Sequence, residues 1–153
     1  MSEIFVISDT HFSHRGVVKF MSEIDPTKKM RPWDTTEEMD EYMVEAWNKR
    51  VSSKDLVYHL GDVVINRMCL PIMSRLNGTK KLVMGNHDVF RATEYLEYFK
   101  DIKAYYVVDD IVLSHIPIHE SQMKRYKGNI HGHLHEKCVE YTPGIPDFRY
   151  SCV

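Results

Sequence analysis

The chain has 153 residues, of which 43% are hydrophobic, and this predicts one globular domain over residues 1–153. Twenty basic residues nearly balance 22 acidic ones, and the net charge of −2 gives no overall attraction to nucleic acid or to an anionic membrane. Three widely spaced cysteines without a C-x-x-C pair argue against a disulfide framework, and the first apolar run is too short for a signal peptide or a membrane span. We therefore expect a cytoplasmic protein.

Short apolar runs recur along the chain, and each is followed by polar residues. They are Ile4 to Ile7, Leu56 to Tyr58, Leu82 to Met84 and Ile111 to Leu113. Continuous runs rich in β-branched residues are typical of strands that are covered on both faces. The sequence therefore predicts buried strands at these four places.

Helical patterns separate the first three runs. Thr35 and Glu38 form a capping box, and apolar residues then recur at helical spacing as far as Arg50. A second pattern, from Met68 to Leu76, ends at Asn77-Gly78. Alternating strands and helices predict an α/β fold for this half of the chain.

The second half has more closely spaced strand-like segments, and we expect them to be antiparallel. Tyr95 to Phe99 is compatible with one more short helix. The expected strands are Tyr105 to Val108, Ile111 to Leu113, Cys138 to Tyr141 and Arg149 to Val153. Met21 to Trp33, which contains two prolines and several charges, is expected to be a surface loop.

Polar residues follow the predicted strands, where ligands bind in open α/β sheets. Asp9 and His11 are two residues apart, so that both side chains face the same way if the backbone is extended. His133 and His135 have the same spacing, and Gly132 before them allows a tight turn. Two imidazoles and a carboxylate are suitable ligands for a borderline metal ion.

Each of these patterns also has a simpler explanation. A single D-x-H or H-x-H is more often a surface accident or a hydrogen-bonded buried pair than a metal site, and Gly-Asp is usually only a turn. Here four or five such clusters follow successive predicted strands, in a chain with nine histidines. This coincidence favours a metal site.

The polar motifs together resemble the signature of the calcineurin-like metallophosphoesterases. In chain order they are Asp9-x-His11, Gly61-Asp62, Gly85-Asn86-His87-Asp88, His115 and Gly132-His133-x-His135. The stretches that begin D-T-H-F-S-H at Asp9 and D-L-V-Y-H-L-G-D at Asp55 further resemble a small, mostly bacterial and phage-borne branch. The resemblance implies a mixed α/β fold, a four-layer α/β/β/α sandwich of two mixed β-sheets, forming a single metallophosphoesterase domain.

The resemblance also implies a dinuclear metal centre with Asp62 as the bridging ligand. One ion would be held by Asp9, His11, Asp62 and His135, and the other by Asp62, Asn86, His115 and His133. These nitrogen and oxygen ligands favour a transition metal over magnesium or calcium, with manganese expected first and iron, zinc, nickel or cobalt as alternatives. By the same resemblance His87 would protonate the leaving group, and Asp88 would hold the His87 ring.

The implied activity is hydrolysis of a phosphate ester by a water or hydroxide that bridges the two ions. We expect a small phosphodiester as substrate, because the short chain leaves little room for a capping domain and the net charge does not favour nucleic acid. A phosphomonoesterase or a nuclease using the same site is an alternative. Another is a non-catalytic metal-binding scaffold, although such scaffolds lack ligands that are all present here. No membrane partner is expected, and the sequence does not indicate an oligomeric state.

For several other residues the evidence of a function is weaker. His14 contacts the phosphate, supports a metal ligand or is merely a polar loop residue, and His59 is expected to be a buried, hydrogen-bonded core histidine. We expect His131 to be structural or to support a ligand, and His119 to lie at the surface. The role of Arg67 stays open, because the acidic residue and arginine that follow Gly-Asp in many relatives are absent here, and phosphate binding by Arg67 does not follow from the resemblance.

Overall fold

The structure, a computed structural model, describes residues 2–137, 139 and 149–153. Within these residues, eight strands form two four-stranded sheets, accompanied by α-helices and 3₁₀ helices. No helix among them is long and apolar enough to cross a membrane. The predicted mixed α/β class with two sheets is confirmed.

The first sheet consists of parallel strands in chain order. They are β1 (Ile4–Ile7), β2 (Leu56–His59), β3 (Thr79–Val83) and β4 (Asp101–Lys103). β3 begins before its predicted apolar run, because Lys80 in the strand is buried and its ammonium donates a hydrogen bond to the carbonyl of Leu76 at 2.7 Å. β4 was not predicted.

The second sheet is mixed. Its strands are β5 (Tyr105–Val108), β6 (Ile111–Ser114), β7 (Gly128–His131) and β8 (Arg149–Cys152). Only β5 and β6 are antiparallel, and the prediction of an antiparallel half is wrong for the pairs β6–β7 and β7–β8. A crossover that contains a 3₁₀ helix (Glu120–Arg125) returns the chain, so that β7 starts at the same end as β6. The strand predicted at 138–141 falls, except for Val139, outside the described residues.

Helix α1 (Thr36–Arg50) confirms the prediction from its capping box. Glu38 N donates to Thr35 Oγ1 at 3.2 Å, and Thr35 N donates to the Glu38 carboxylate at 3.3 Å. The second helical pattern forms a 3₁₀ helix (Arg67–Arg75), which contains Pro71, a residue that lacks an N–H donor. Helix α2 (Ala92–Tyr95) lies slightly before the short helix predicted near Tyr95 to Phe99.

The first sheet is covered on both faces, as its apolar strands predict. Val57 and Leu82 belong to a core cluster that includes Trp47 of α1. The alternate residues Tyr58 and Val83 belong to a second cluster, which joins this sheet to Tyr106 and Leu113 of the second sheet. The second cluster therefore holds the two sheets together.

Candidate metal centre

The structure brings together the seven residues predicted as metal ligands. Each lies in a loop after the carboxyl end of a strand: Asp9 and His11 after β1, Asp62 after β2, Asn86 after β3, His115 after β6, and His133 and His135 after β7. Parallel strands bring these loops to one edge of the molecule.

One group of possible ligand atoms surrounds Asp9. His135 Nε2 lies 3.4 Å from Asp9 Oδ1, and His11 Nε2 lies 3.7 Å from the same oxygen. These three residues offer ligand atoms that all lie within 4.8 Å of one another. Nitrogen and oxygen ligands that each lie about 2.0–2.2 Å from a metal ion are separated by such distances.

A second group adjoins the first at Asp62. His115 Nε2 lies 3.5 Å from Asp62 Oδ2 and 2.8 Å from Asn86 Oδ1, which is also 2.9 Å from His133 Nδ1. The same Asp62 oxygen lies 3.8 Å from His11 Nε2. One buried carboxylate oxygen therefore faces the imidazoles of both groups.

The buried polar atoms of this centre fit a cation. Asp9 Oδ1 is buried and has no hydrogen-bond partner in the described part of the chain, an arrangement that is unfavourable without a further ligand. Burial acts to raise the pKa of Asp9, but His11, His135, Ser8 and the His133 N–H outweigh it and hold that pKa well below its usual range. Asp9 therefore carries the negative charge that a metal ion needs.

The backbone of the centre is unusual, because five of the predicted ligands have left-handed conformations. They are Asp9, His11, Asp62, His133 and His135, with φ between 46 and 67°. Non-glycine residues rarely adopt such values, which cluster at functional sites. Asp9 and His11 do lie side by side, as predicted, but the extended backbone expected for them is wrong, since the loop turns at both residues.

Comparison with known proteins identifies the family. Residues 2–150 match the calcineurin-like phosphoesterases. The chain belongs to this family. Its members are generally metal-dependent phosphoester hydrolases, and the predicted resemblance and the mixed α/β fold with two sheets are confirmed, although the first sheet is parallel and not mixed within the described residues.

Proteins similar to this calcineurin-like phosphoesterase come from three different sources. An uncharacterised protein of Methanocaldococcus jannaschii is 31% identical over 159 residues, which cover 99% of this chain and 80% of the relative. The Gene 66 protein of Mycobacterium phage D29 is 26% identical, over 95% of this chain and 85% of its own length. The crystal structure of a protein of unknown function from Aquifex aeolicus superposes with a TM-score of 0.66 and 27% identity, covering 98% of this chain and 87% of that one.

Arg31 supports the strained loop of the phosphoesterase centre. Its guanidinium donates hydrogen bonds to the carbonyl oxygens of Asp9 and, at 2.7 Å, of Thr10. The same group lies against the sulfur atoms of Met39 and Met43. Sequence reasoning placed Arg31 in a surface loop, and no local pattern marks an arginine that reaches back more than twenty residues.

Two glycines allow the loops of the centre to approach closely. A Cβ at Gly132 would lie 1.9 Å from Ser8 Oγ and 2.2 Å from Asp9 Oδ2, and one at Gly85 would lie 2.2 Å from Asp62 Oδ1. Gly132 is not among the residues with positive φ, so it is needed for this approach and not for the tight turn that was predicted.

His87 lies at the rim of the centre. Its side chain is about half exposed, its Nε2 lies 3.9 Å from Asp62 Oδ2, and its ring packs against that of His11. The backbone N–H of His87 donates to Asp62 Oδ1 at 2.9 Å, which fixes the backbone while leaving the ring accessible.

Asp88 does not hold the His87 ring, contrary to the prediction. Its buried carboxylate accepts hydrogen bonds from the backbone N–H groups of Asp62 (2.7 Å), Gly85 (2.8 Å) and Val63 (3.0 Å). These donors turn the carboxylate inward, and within the described residues no hydrogen bond joins it to the His87 ring. Asp88 therefore ties the Asp62 loop to the loop after β3.

The remaining predicted residues lie outside the ligand cluster. His59 is fully buried with hydrogen bonds to Gly61 N and Thr10 Oγ1, as predicted, and burial lowers its pKa to about 3. His131 is also buried, and His119 is exposed. Arg67 Nε lies 3.0 Å from Glu94 Oε1, an ion pair outside the centre.

Proposed function

We propose that this calcineurin-like phosphoesterase is a dinuclear enzyme that hydrolyses a small phosphodiester. The observation that carries the proposal is the position of Asp62 Oδ2, which lies 3.8 Å from His11 Nε2 and 3.5 Å from His115 Nε2. A single oxygen between two groups of imidazoles is suited to bridge two ions. It remains a prediction that residues 1–153 form one catalytic domain.

The proposed ligands divide into two sets that share Asp62. Asp9, His11, Asp62 and His135 hold one ion, and Asp62, Asn86, His115 and His133 hold the other. When bound, two divalent ions supply a water that is acidic enough to attack phosphorus near neutral pH. Asn86 offers an oxygen without a negative charge, so the loaded centre stays positive enough to bind a phosphate anion.

His87 is the proposed proton donor to the leaving group. Its backbone is fixed by Asp62 while its ring stays about half exposed at the rim, where an ester oxygen has access. As the ester bond breaks, the ring donates a proton to the departing oxygen, a step that typically contributes about 10²- to 10⁴-fold in rate.

The open rim supports a small ester as substrate. Among the described residues Asn86, His87 and His133 are all exposed, so this side of the centre is accessible to a phosphate group. The net charge of −2 offers no general attraction to a nucleic acid strand. All seven ligand positions are filled by suitable residues, which favours an enzyme over a metal-binding scaffold.

The proposal is tested by removing metal with a chelator and reloading the protein with manganese, iron, zinc, nickel, cobalt or magnesium. Each form is assayed on small phosphodiesters, on the matching monoesters and on a single-stranded oligonucleotide. We expect two equivalents of metal and the highest diester rate with a transition metal, because the ligands are rich in imidazole. The highest rate with magnesium would contradict the ligand assignment, and a preference for monoesters or oligonucleotide would contradict the substrate class.

Asp62→Asn tests the bridging role. We expect this variant to lose turnover and metal, since the bridging carboxylate partly neutralises both ions. The matched control is Asp110→Asn, which changes an exposed carboxylate paired with Lys127 and should alter neither property. Full metal occupancy with normal turnover in Asp62→Asn would exclude a bridging carboxylate.

A further inference from the structure

The ring of His14 is held in one tautomer. Its Nδ1 accepts hydrogen bonds from Gly16 N at 2.9 Å and Val17 N at 3.2 Å. A ring nitrogen that accepts N–H groups carries no proton of its own, so the proton lies on Nε2. His14 is therefore a neutral imidazole with a single N–H donor, which points away from the two bonds that Nδ1 accepts.

The surroundings of His14 fix the ring as well. It packs edge-on against Phe20, with ring centroids 5.8 Å apart. A Cβ at Gly16 would lie 2.7 Å from His14 Cε1, so the loop fits closely around the ring. An imidazole confined in this way loses little rotational freedom when it binds a ligand.

His14 also adjoins the metal centre. Its ring packs edge-on against that of the proposed ligand His11, with centroids 5.8 Å apart, the same separation as between His11 and His87. Among the described residues, no acceptor is found for the His14 Nε2–H. The donor thus belongs to a ring that contacts the proposed ligand His11.

His14 also lines a cleft that provides room for the organic part of an ester. The cleft has a volume of about 630 Å³, and its lining includes Arg15, Ile65 and Asn66 as well as the carboxylates of Glu37 and Asp40. A substrate whose phosphate lies at the metal centre can extend past His14 into this cleft. His14 therefore lies where the phosphate group and the organic group of such a substrate meet.

We propose that His14 is a substrate-binding residue, whose Nε2–H donates a hydrogen bond to an oxygen of the substrate's phosphate group. This rests on the proposed phosphoesterase function and adds a residue that belongs to neither ligand set. A neutral donor suits this position, since it binds an anionic oxygen without placing a second positive charge beside the metal centre.

The alternative is that His14 only stabilises the backbone next to it. Its Nδ1 satisfies the first N–H groups of a 3₁₀ helix (Val17–Lys19), and this alone would explain its orientation. Two substitutions separate the roles. His14→Asn keeps an acceptor at the position of Nδ1 and removes the Nε2–H, whereas His14→Gln keeps an N–H at the position of Nε2 and removes the Nδ1 acceptor.

The experiment measures binding of inorganic phosphate to the zinc-loaded protein by calorimetry, together with metal content and unfolding temperature. For His14→Asn we expect wild-type stability and metal content and about tenfold weaker phosphate binding, which corresponds to about 1.4 kcal/mol. For His14→Gln we expect a lower unfolding temperature with phosphate affinity closer to wild type. Wild-type phosphate affinity in His14→Asn would overturn the proposal and leave only the local role.

A second measurement uses the unsubstituted protein and does not depend on a variant that folds. In ¹⁵N-histidine-labelled, zinc-loaded protein, the His14 Nε2–H resonance should shift on addition of phosphate, while Nδ1 stays unprotonated. An unchanged His14 resonance at saturating phosphate would overturn the proposal. Wild-type protein that binds phosphate but hydrolyses no ester with any metal would instead count against the proposed function.

Discussion

Asp88→Asn tests whether the buried carboxylate beside the metal centre is a structural tie between loops. Asp88 Oδ2 accepts from Asp62 N and Gly85 N, and Oδ1 accepts from Val63 N. An asparagine has one oxygen and one NH₂ group, so whichever way it is turned at least one of these buried N–H groups meets another donor. The substitution therefore breaks the network without removing any volume.

The magnitude follows from the number of bonds affected. An unsatisfied buried N–H is unfavourable by about 1–3 kcal/mol, and the remaining bonds lose the strengthening that a charged acceptor gives. We expect the free energy of unfolding to fall by about 2–4 kcal/mol. For a protein of this size this is a decrease of roughly 4–16 °C in unfolding temperature.

The assay is urea and thermal unfolding of the metal-free protein, with Asp110→Asn as the control. That exposed carboxylate forms a surface ion pair with Lys127 at 2.9 Å, so its loss should change stability by no more than about 0.5 kcal/mol. If Asp88→Asn is as stable as this control, the account of the network is wrong. If it is stable yet hydrolyses esters with poor leaving groups more slowly, Asp88 acts through His87 after all.

Three further substitutions probe the rim, the loop contact and the buried histidine. His87→Ala should keep its metal and its unfolding temperature. It should hydrolyse esters with poor leaving groups about 10²- to 10⁴-fold more slowly, and nitrophenyl esters only a little more slowly. Loss of metal, or an equal decrease in rate for both kinds of ester, would exclude His87 as the proton donor. Gly132→Ala places a Cβ 1.9 Å from Ser8 Oγ, and should lower stability by about 1–3 kcal/mol in calorimetry together with metal affinity; unchanged binding would show that the loop shifts freely. The pKa of His59 is about 3 in the folded protein against 6.5 when unfolded, so as pH falls through this window the unfolded state takes up a proton that the folded state does not, and stability decreases. His59→Gln should therefore lose less stability between pH 6.5 and pH 4 in urea unfolding, and parallel pH profiles would contradict this.

The strands that were predicted differ physically from those that were missed. β1 and β2 are nearly continuous apolar runs, so pattern alone predicts them. β7 contains the buried Asn129, whose side-chain amide donates to Val112 O at 3.0 Å and to Ser114 Oγ at 2.9 Å. The neighbouring strand satisfies this polar group, and the group can therefore be buried. The segment consequently lacks the hydrophobic pattern that marks a buried strand.

The candidate site was predictable to the extent that it depends on chain order. All seven ligands follow strands, and within each sheet parallel strands bring their ends together, although the meeting of the two sets of ligands depends on how the two sheets pack. The role of Asp88 and the contribution of Arg31 were not predictable in this way. Both depend on hydrogen bonds to backbone groups more than twenty residues away, at Asp62 and Asp9, which leave no periodic signal.

The left-handed backbone at five of the proposed ligands limits how this centre can change its metal preference. Aspartate, asparagine and histidine tolerate positive φ better than other side chains, so the residues that the backbone accepts are also those that bind a borderline ion. Cysteine or glutamate at these positions would have to overcome conformational strain before coordination chemistry came into play. Exchange for a softer or a harder ion is therefore least hindered at Asn86 and His115, the two proposed ligands with ordinary φ, and an engineered change of metal would begin there.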